Sequence, residues 1–88
     1  MQSVKIKVFG KVQGVFYRVS TQRQAQKYGI KGWVKNCEDG TVEACFQGKE
    51  SAITALLTWC KKGPEYAIVE RIQTCQINEK VYEKFTIR

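Results

Sequence analysis

The 88-residue chain contains no histidine, and this absence restricts its chemistry. Histidine is the commonest general acid–base group near neutral pH and a frequent zinc ligand. Any enzyme mechanism here must therefore use other groups or need little proton transfer. The chain also lacks a C-x-x-C pair, so we expect no metal site. Its four cysteines are Cys37, Cys45, Cys60 and Cys75. We interpret them as buried or half-buried free thiols, because nothing indicates an oxidising compartment; one disulfide stays an open alternative.

Long apolar runs are also missing. No segment approaches the ~20 apolar residues that span a membrane. Residues 1–9 alternate lysine with aliphatic side chains and lack the apolar core of a signal peptide. We therefore expect a cytoplasmic protein without a membrane partner. A chain of this length predicts a single domain over residues 1–88, with its active site on the surface of one scaffold.

Acidic residues are few: 8 Asp and Glu stand against 15 Lys and Arg, a net charge of +7. Such a surplus attracts anions, whether nucleic acid, an anionic membrane surface or phosphorylated small molecules. Charge alone does not choose among these partners, and a merely solvated basic surface explains it equally well.

The apolar pattern predicts two helices and five strands. Val4, Ile6 and Val8 alternate with lysines, which is typical of a strand with one exposed face. A helix is predicted over residues 18–28, with Tyr17, Thr21, Ala25 and Tyr28 on one face, and Gly29 ends it. Strands follow at residues 30–35 and 41–47, joined by an Asp-Gly turn. Val42, Ala44 and Phe46 should face the core.

The second half of the chain completes the pattern. A helix over residues 51–61 carries a buried stripe and is closed by Gly63-Pro64. The stripe consists of Ile53, Leu56, Leu57 and Cys60. Strands are predicted at residues 67–77 and 84–88. Whether the first of these contains a bulge stays open at this point. The order β-α-β-β-α-β plus a terminal strand indicates an α+β, ferredoxin-like split βαβ fold, with both helices on one face of a mostly antiparallel sheet. This scaffold hosts many functions.

Residues 10–18 form a glycine-containing connection between a strand and a helix. Backbone N–H groups in such a turn can converge on an anion, and the first helical turn adds free N–H groups and a positive dipole end. Arg18 opposes that dipole by roughly 0.3–1 kcal/mol, and a bound anion would reverse the penalty. The alternative is a simple tight turn, with Arg18 placed before the helix and pointing into water.

Asn36 ends a predicted strand, just before the Asp-Gly turn. Its carboxamide offers an acceptor and two donors without changing charge, so it can orient a water molecule. The alternative is that Asn36 only bonds its own turn.

Both segments together match two long patterns. Residues 10–18 fill G-x-V-Q-G-V-x-[FY]-R without exception. Residues 32–48 fill G-[FYW]-[AVC]-[KRQAM]-N-x-x-x-G-x-V-x-x-x-x-x-G, with Asn36 at the asparagine position. The chain thereby resembles the acylphosphatase family over almost its whole length.

The resemblance implies hydrolysis of the carboxyl–phosphate bond of acyl phosphates to carboxylate and inorganic phosphate, without a metal or an organic cofactor. It implies that Arg18 binds the substrate phosphate and that Asn36 holds the attacking water. The implied backbone cradle consists of Val12, Gln13, Gly14, Val15, Phe16 and Tyr17. We expect a monomer that binds a small molecule and no nucleic acid. The cysteine count departs from the family, and Cys37 is expected to point away from the phosphate.

Two rival interpretations remain at this point. The basic charge favours an RNA-binding module on the same scaffold, but no stretch matches the RNP1 pattern of that class. A catalytically silent accessory domain is the second rival, and the presence of both Arg18 and Asn36 argues against it.

Overall fold

The computed structural model describes residues 1–78 and 80–88. Two helices lie among five strands within that part of the chain. The helices are α1 (Tyr17–Lys27) and α2 (Glu50–Lys62). The strands are β1 (Gln2–Lys11), β2 (Lys31–Asn36), β3 (Val42–Gly48), β4 (Ile68–Gln76) and β5 (Phe85–Ile87). Each predicted element is present, with its ends displaced by one residue or two.

The strands form one sheet in the order β4-β1-β3-β2-β5. β3 lies between β1 and β2 and runs antiparallel to both, and β4 runs antiparallel to β1. Only β5 adds a parallel pairing among the described strands, alongside β2. Helix α1 packs near β2 and β5, whereas α2 packs near β4, β3 and β1. The predicted ferredoxin-like α+β fold, with a mostly antiparallel sheet, is confirmed.

The core consists of the alternate residues that the pattern predicted. Val42, Ala44 and Phe46 are buried, and so are Ile53 and Leu56 of α2. Cys60 of the predicted stripe is buried as well, whereas Leu57 is only partly buried against the core. Of the helical face predicted for α1, Tyr17, Thr21 and Ala25 are buried. Tyr28 is exposed, because α1 has already ended at Lys27 and Gly29 reverses the chain with a φ of 70°.

An irregular pairing between β1 and β4 positions the end of β1. Phe9 pairs with Arg71 but Gly10 pairs with Val69, so Glu70 is an extra residue in β4. β4 therefore contains the bulge that the sequence pattern left open. A side chain at position 10 would place its Cβ 2.1 Å from the carbonyl oxygen of Ile68. Glycine is therefore required where the chain leaves β1.

The start of α1 is fastened to the end of α2 by a buried hydrogen bond. The Tyr17 hydroxyl donates to the carbonyl oxygen of Cys60 at 2.7 Å. The Cys60 carbonyl lacks its ordinary helical donor, because the residue four positions later is Pro64, which has no N–H. Burial raises the pKa of the Tyr17 hydroxyl, so the hydroxyl stays protonated and donates.

Within the described chain, no helix is long and apolar enough to cross a membrane.

Tyr17→Phe should lower the free energy of unfolding by about 1–2 kcal/mol, because it leaves the buried Cys60 carbonyl without a donor. Urea denaturation measures this difference. Tyr28→Phe is the matched control, because that tyrosine is exposed, and its change should stay within about 0.5 kcal/mol. Equal stability of the Tyr17→Phe protein and the parent would contradict the role given to this hydrogen bond.

Candidate active site

The connection between β1 and α1 has the conformation that its sequence predicted. Gly14 has a φ of 74°, in the left-handed region. No atom lies within 4 Å of a Cβ built at this position. The conformation, and not lack of space, therefore favours glycine here.

Helix α1 begins at this connection with an unusual residue. Phe16 is the N-cap, with φ 66° and ψ 21°, and it forms no side-chain capping hydrogen bond. The first turn contains no acidic residue. Arg18 is the second residue of the helix, so the alternative that it precedes the helix is wrong. Its cation lies at the positive end of the helix dipole, an unfavourable position unless an anion binds there.

The backbone N–H groups of residues 12–19 are available to a ligand. None of them donates a hydrogen bond to the described part of the chain. The first donor of the helix is the N–H of Ser20, which bonds the Phe16 carbonyl at 3.0 Å. A run of unpaired N–H groups at a helix start is an anion-binding arrangement.

Asn36 is the last residue of β2, on the same face as buried Val34. Its Oδ1 is buried and has no hydrogen-bond partner among residues 1–78 and 80–88. The turn that follows is held by other groups, since the Cys37 N–H bonds the Thr41 carbonyl at 2.8 Å. The alternative role for Asn36, bonding its own turn, is therefore wrong. A buried carboxamide oxygen without a donor costs about 1–3 kcal/mol.

One cavity of about 250 Å³ brings most of the predicted site residues together. Arg18 and Asn36 line it from different elements. Its remaining walls are Val12, Gly14, Phe16, Tyr17 and Val19. Two residues of the predicted cradle are not in its lining: Val15 is buried, and Gln13 directs its side chain elsewhere. The orientation of the Cys37 thiol stays a prediction.

The Gln13 side chain joins the two signature segments. Its Nε2 donates to the carbonyl oxygen of Cys37 at 2.7 Å and to that of Thr41 at 2.9 Å. Both amide hydrogens are thus used to fasten the loop to the β2–β3 turn. The family resemblance implies that Gln13 belongs to the backbone cradle and does not indicate this side-chain contact. A long carboxamide side chain inside a glycine-containing loop indicated a hydrogen bond to another segment. No pattern in the sequence indicated which carbonyl groups would accept that bond.

A second set of contacts holds the β2–β3 turn. Oδ1 of Asp39 accepts the Thr41 hydroxyl at 2.6 Å and the Thr41 N–H at 3.1 Å, and the other oxygen pairs with Lys7 at 3.0 Å. The Thr41 hydroxyl first, and Lys7 next, lower the pKa of Asp39 to about 2. The turn that follows Asn36 is therefore braced from two sides, by Gln13 and by Asp39.

Arg18 is the charged residue in the lining of the cavity. Ion pairs in the described chain join Lys5 and Lys35 to Glu43, and Lys7 to Asp39. Arg18 takes part in none of them. Across residues 1–78 and 80–88, His, Cys, Asp and Glu form no group of three that could hold a metal ion. The site therefore presents one unpaired guanidinium, unpaired N–H groups and one carboxamide to an anion.

Comparisons relate the whole chain to known proteins. A family model described as Acylphosphatase matches residues 4–87. The chain is 45% identical over 76 residues to a protein named acylphosphatase from Syntrophus aciditrophicus, covering 86% of this chain and 79% of the relative. It is 42% identical to one from Thiobacillus denitrificans, covering 100% and 98%. Among solved structures, an acylphosphatase from Bacillus subtilis superposes with a TM-score of 0.97 at 34% identity, covering 100% of this chain and 99% of the other.

The lowered pKa of Asp39 predicts how stability depends on pH. The ionised carboxylate is stabilised in the folded state, so its contribution is complete above the ordinary value of 3.8 and is lost as the pH falls through about 2. Asp39→Asn keeps the acceptor for Thr41 but removes the charge. The melting temperature of the parent should exceed that of Asp39→Asn at pH 7, and the difference should shrink as the pH falls through about 2. A difference that is constant with pH would contradict this account.

Proposed function

The chain belongs to the acylphosphatase family and hydrolyses acyl phosphates, and we propose that Arg18, the loop N–H groups and Asn36 carry out the reaction. In this mechanism Arg18 and the N–H groups hold the substrate phosphate, and Asn36 positions the water that attacks it. The products are a carboxylate and inorganic phosphate.

One observation carries the proposal: three kinds of unpaired polar group surround a single cavity. Asn36 and Arg18 both line the cavity, and neither side chain forms a hydrogen bond or ion pair within the described chain. The N–H groups of residues 12–19 likewise have no acceptor in that part of the chain. Unpaired polar groups lower stability, so their convergence supports a ligand that pairs with them.

The phosphate binds at the start of α1. Its equatorial oxygens accept hydrogen bonds from the loop N–H groups and from the guanidinium of Arg18, whose planar fork fits two oxygens at once. The bound anion also reverses the unfavourable position of Arg18 at the helix N-terminus. Gly14, in its left-handed conformation, lets the backbone turn around the phosphate.

The carboxamide of Asn36 holds the nucleophile. Rotation about its Cβ–Cγ bond exchanges the positions of oxygen and nitrogen, so the oxygen can accept a hydrogen bond from a water in the cavity. The neighbouring turn is braced by Gln13 and Asp39, which limits the movement of the strand end. Correct placement of a nucleophile is worth roughly 10²-fold in rate or more.

The reaction needs no histidine. The water oxygen attacks phosphorus while the bond from phosphorus to the acyl oxygen breaks, and the carboxylate leaves without a proton. The proton of the water passes to a phosphate oxygen. Phosphoryl transfer proceeds through a loose transition state with charge on three equatorial oxygens. Arg18 and the N–H groups stabilise that charge, which is the main task of such a site.

A direct assay tests the proposal. The purified chain should hydrolyse benzoyl phosphate rapidly and equally well with and without a chelator, because no step of the mechanism uses a metal. Loss of activity in the chelator would contradict the metal-free mechanism. All the proposed groups come from one chain, so we also propose that the monomer is active, and specific activity should not change on dilution.

Arg18→Lys should lower kcat/KM by about 10- to 100-fold, because a lysine keeps the charge but loses the two-pronged contact with phosphate. Steady-state kinetics measures the change, and the inhibition constant of inorganic phosphate should rise in parallel. Arg23→Lys is the matched control: Arg23 is exposed in the same helix and does not line the cavity. Similar kinetics for the two variants would contradict the role of Arg18.

Asn36→Ala should lower kcat by about 10²-fold or more and leave the inhibition constant of inorganic phosphate nearly unchanged. This split separates water positioning from phosphate binding. Asn78→Ala, at an exposed asparagine outside the cavity, should behave like the parent. If Asn36→Ala retains the parental kcat, Asn36 does not position the water.

A further inference from the structure

Two exposed apolar side chains stand at the candidate active site. Phe16 is 72% exposed and Val19 is 39% exposed, and both line the cavity that contains Arg18 and Asn36. We propose that Phe16 and Val19 form a subsite for the acyl group, which favours acyl phosphates whose acyl group is aromatic or otherwise apolar. This inference rests on the proposed function and adds a substrate class to it.

Neither local preference nor packing explains a phenylalanine at position 16. The residue is held at φ 66°, a left-handed conformation that a bulky side chain disfavours. It is also an N-cap, where a small polar residue or glycine is preferred. Its ring does not contribute to the core, because most of it is exposed. An exposed ring kept in a strained position beside a cavity indicates contact with a ligand.

The proposed reaction geometry places the acyl group near these side chains. The attacking water and the leaving oxygen lie in line on opposite sides of phosphorus. If Asn36 holds the water, the acyl group extends away from β2 and towards the start of α1. Phe16, the N-cap, and Val19, in the first turn of α1, both line the cavity at this point. Phe16 and Val19 lie on either side of Arg18 in the sequence. The acyl group of a substrate whose phosphate is bound by Arg18 is therefore within reach of both side chains.

The cavity has a volume of about 250 Å³ and is lined mainly by apolar residues. Five of the seven lining residues have hydrocarbon or aromatic side chains or none, and only Arg18 and Asn36 are strongly polar. An apolar acyl group therefore finds apolar walls beyond the phosphate-binding groups.

Two substrates with the same phosphoryl group test the subsite: benzoyl phosphate, with an aromatic acyl group, and acetyl phosphate, with a methyl group. The measured quantity is selectivity, the ratio of kcat/KM for benzoyl phosphate to that for acetyl phosphate. Phe16→Ala should lower this ratio by about 3- to 10-fold, mainly through the KM for benzoyl phosphate, as expected for the loss of one aromatic contact. Phe16→Leu should restore part of it. Val19→Thr, which keeps the side-chain shape, should lower the ratio by a smaller factor.

Two further variants separate the ring from the backbone. Phe16→Gly also removes the ring but tolerates the left-handed conformation, so it should lower the ratio as much as Phe16→Ala does. Tyr66→Ala removes a ring that is 69% exposed but lies outside the cavity, and it should leave both substrates unaffected.

Each outcome has one meaning. A ratio that stays at the parental value in both Phe16→Ala and Phe16→Gly would overturn the subsite, even though the parent hydrolyses both substrates. A fall with alanine but not with glycine would assign the effect to loop conformation and overturn it too. If the parent hydrolyses neither substrate, the proposed function itself fails.

Discussion

The site depends on the position of β3 between β1 and β2. Because β3 runs antiparallel to both, β1 and β2 run parallel to each other, and their C-terminal ends meet at one edge of the sheet. Val42 pairs with Val8 on one side and with Asn36 on the other. With strands about 4.8 Å apart, Asn36 therefore lies close to the point where β1 turns into the phosphate-binding loop.

Rigid contacts surround a small number of unsatisfied polar groups. The core strands are buried, the start of α1 is fastened to α2 through Tyr17, and Gln13 fastens the loop to the β2–β3 turn. The groups inside this frame are left without partners among residues 1–78 and 80–88. Such groups lower stability, and they persist because the surrounding structure determines their positions. Preorganised donors of this kind do not need to rearrange when a charged ligand or transition state forms.

Much of the fold follows from local patterns. Alternating aliphatic residues in β1 and β3, the stripe on α2 and the glycines at 29 and 40 placed each element within two residues. Periodicity placed Tyr28 on one helical face with Tyr17, Thr21 and Ala25, but it does not show where a helix ends, so it did not indicate that Tyr28 is exposed. The partners of Gln13 and of Asp39 could not be predicted either, because each contact crosses from one element to another. Their geometry depends on how the β1–α1 loop and the β2–β3 turn approach each other.

The sequence by itself determined the family, the order of elements and the two residues with the right chemistry, Arg18 and Asn36, because short-range patterns and residue types are written directly in the chain. Only the tertiary structure decided that these two residues share one cavity, that their polar groups have no partners in the described chain, and that Phe16 stands exposed in a left-handed conformation beside them. The physical reason is that burial, pairing and distance are properties of strands and helices packed together, which no single segment possesses.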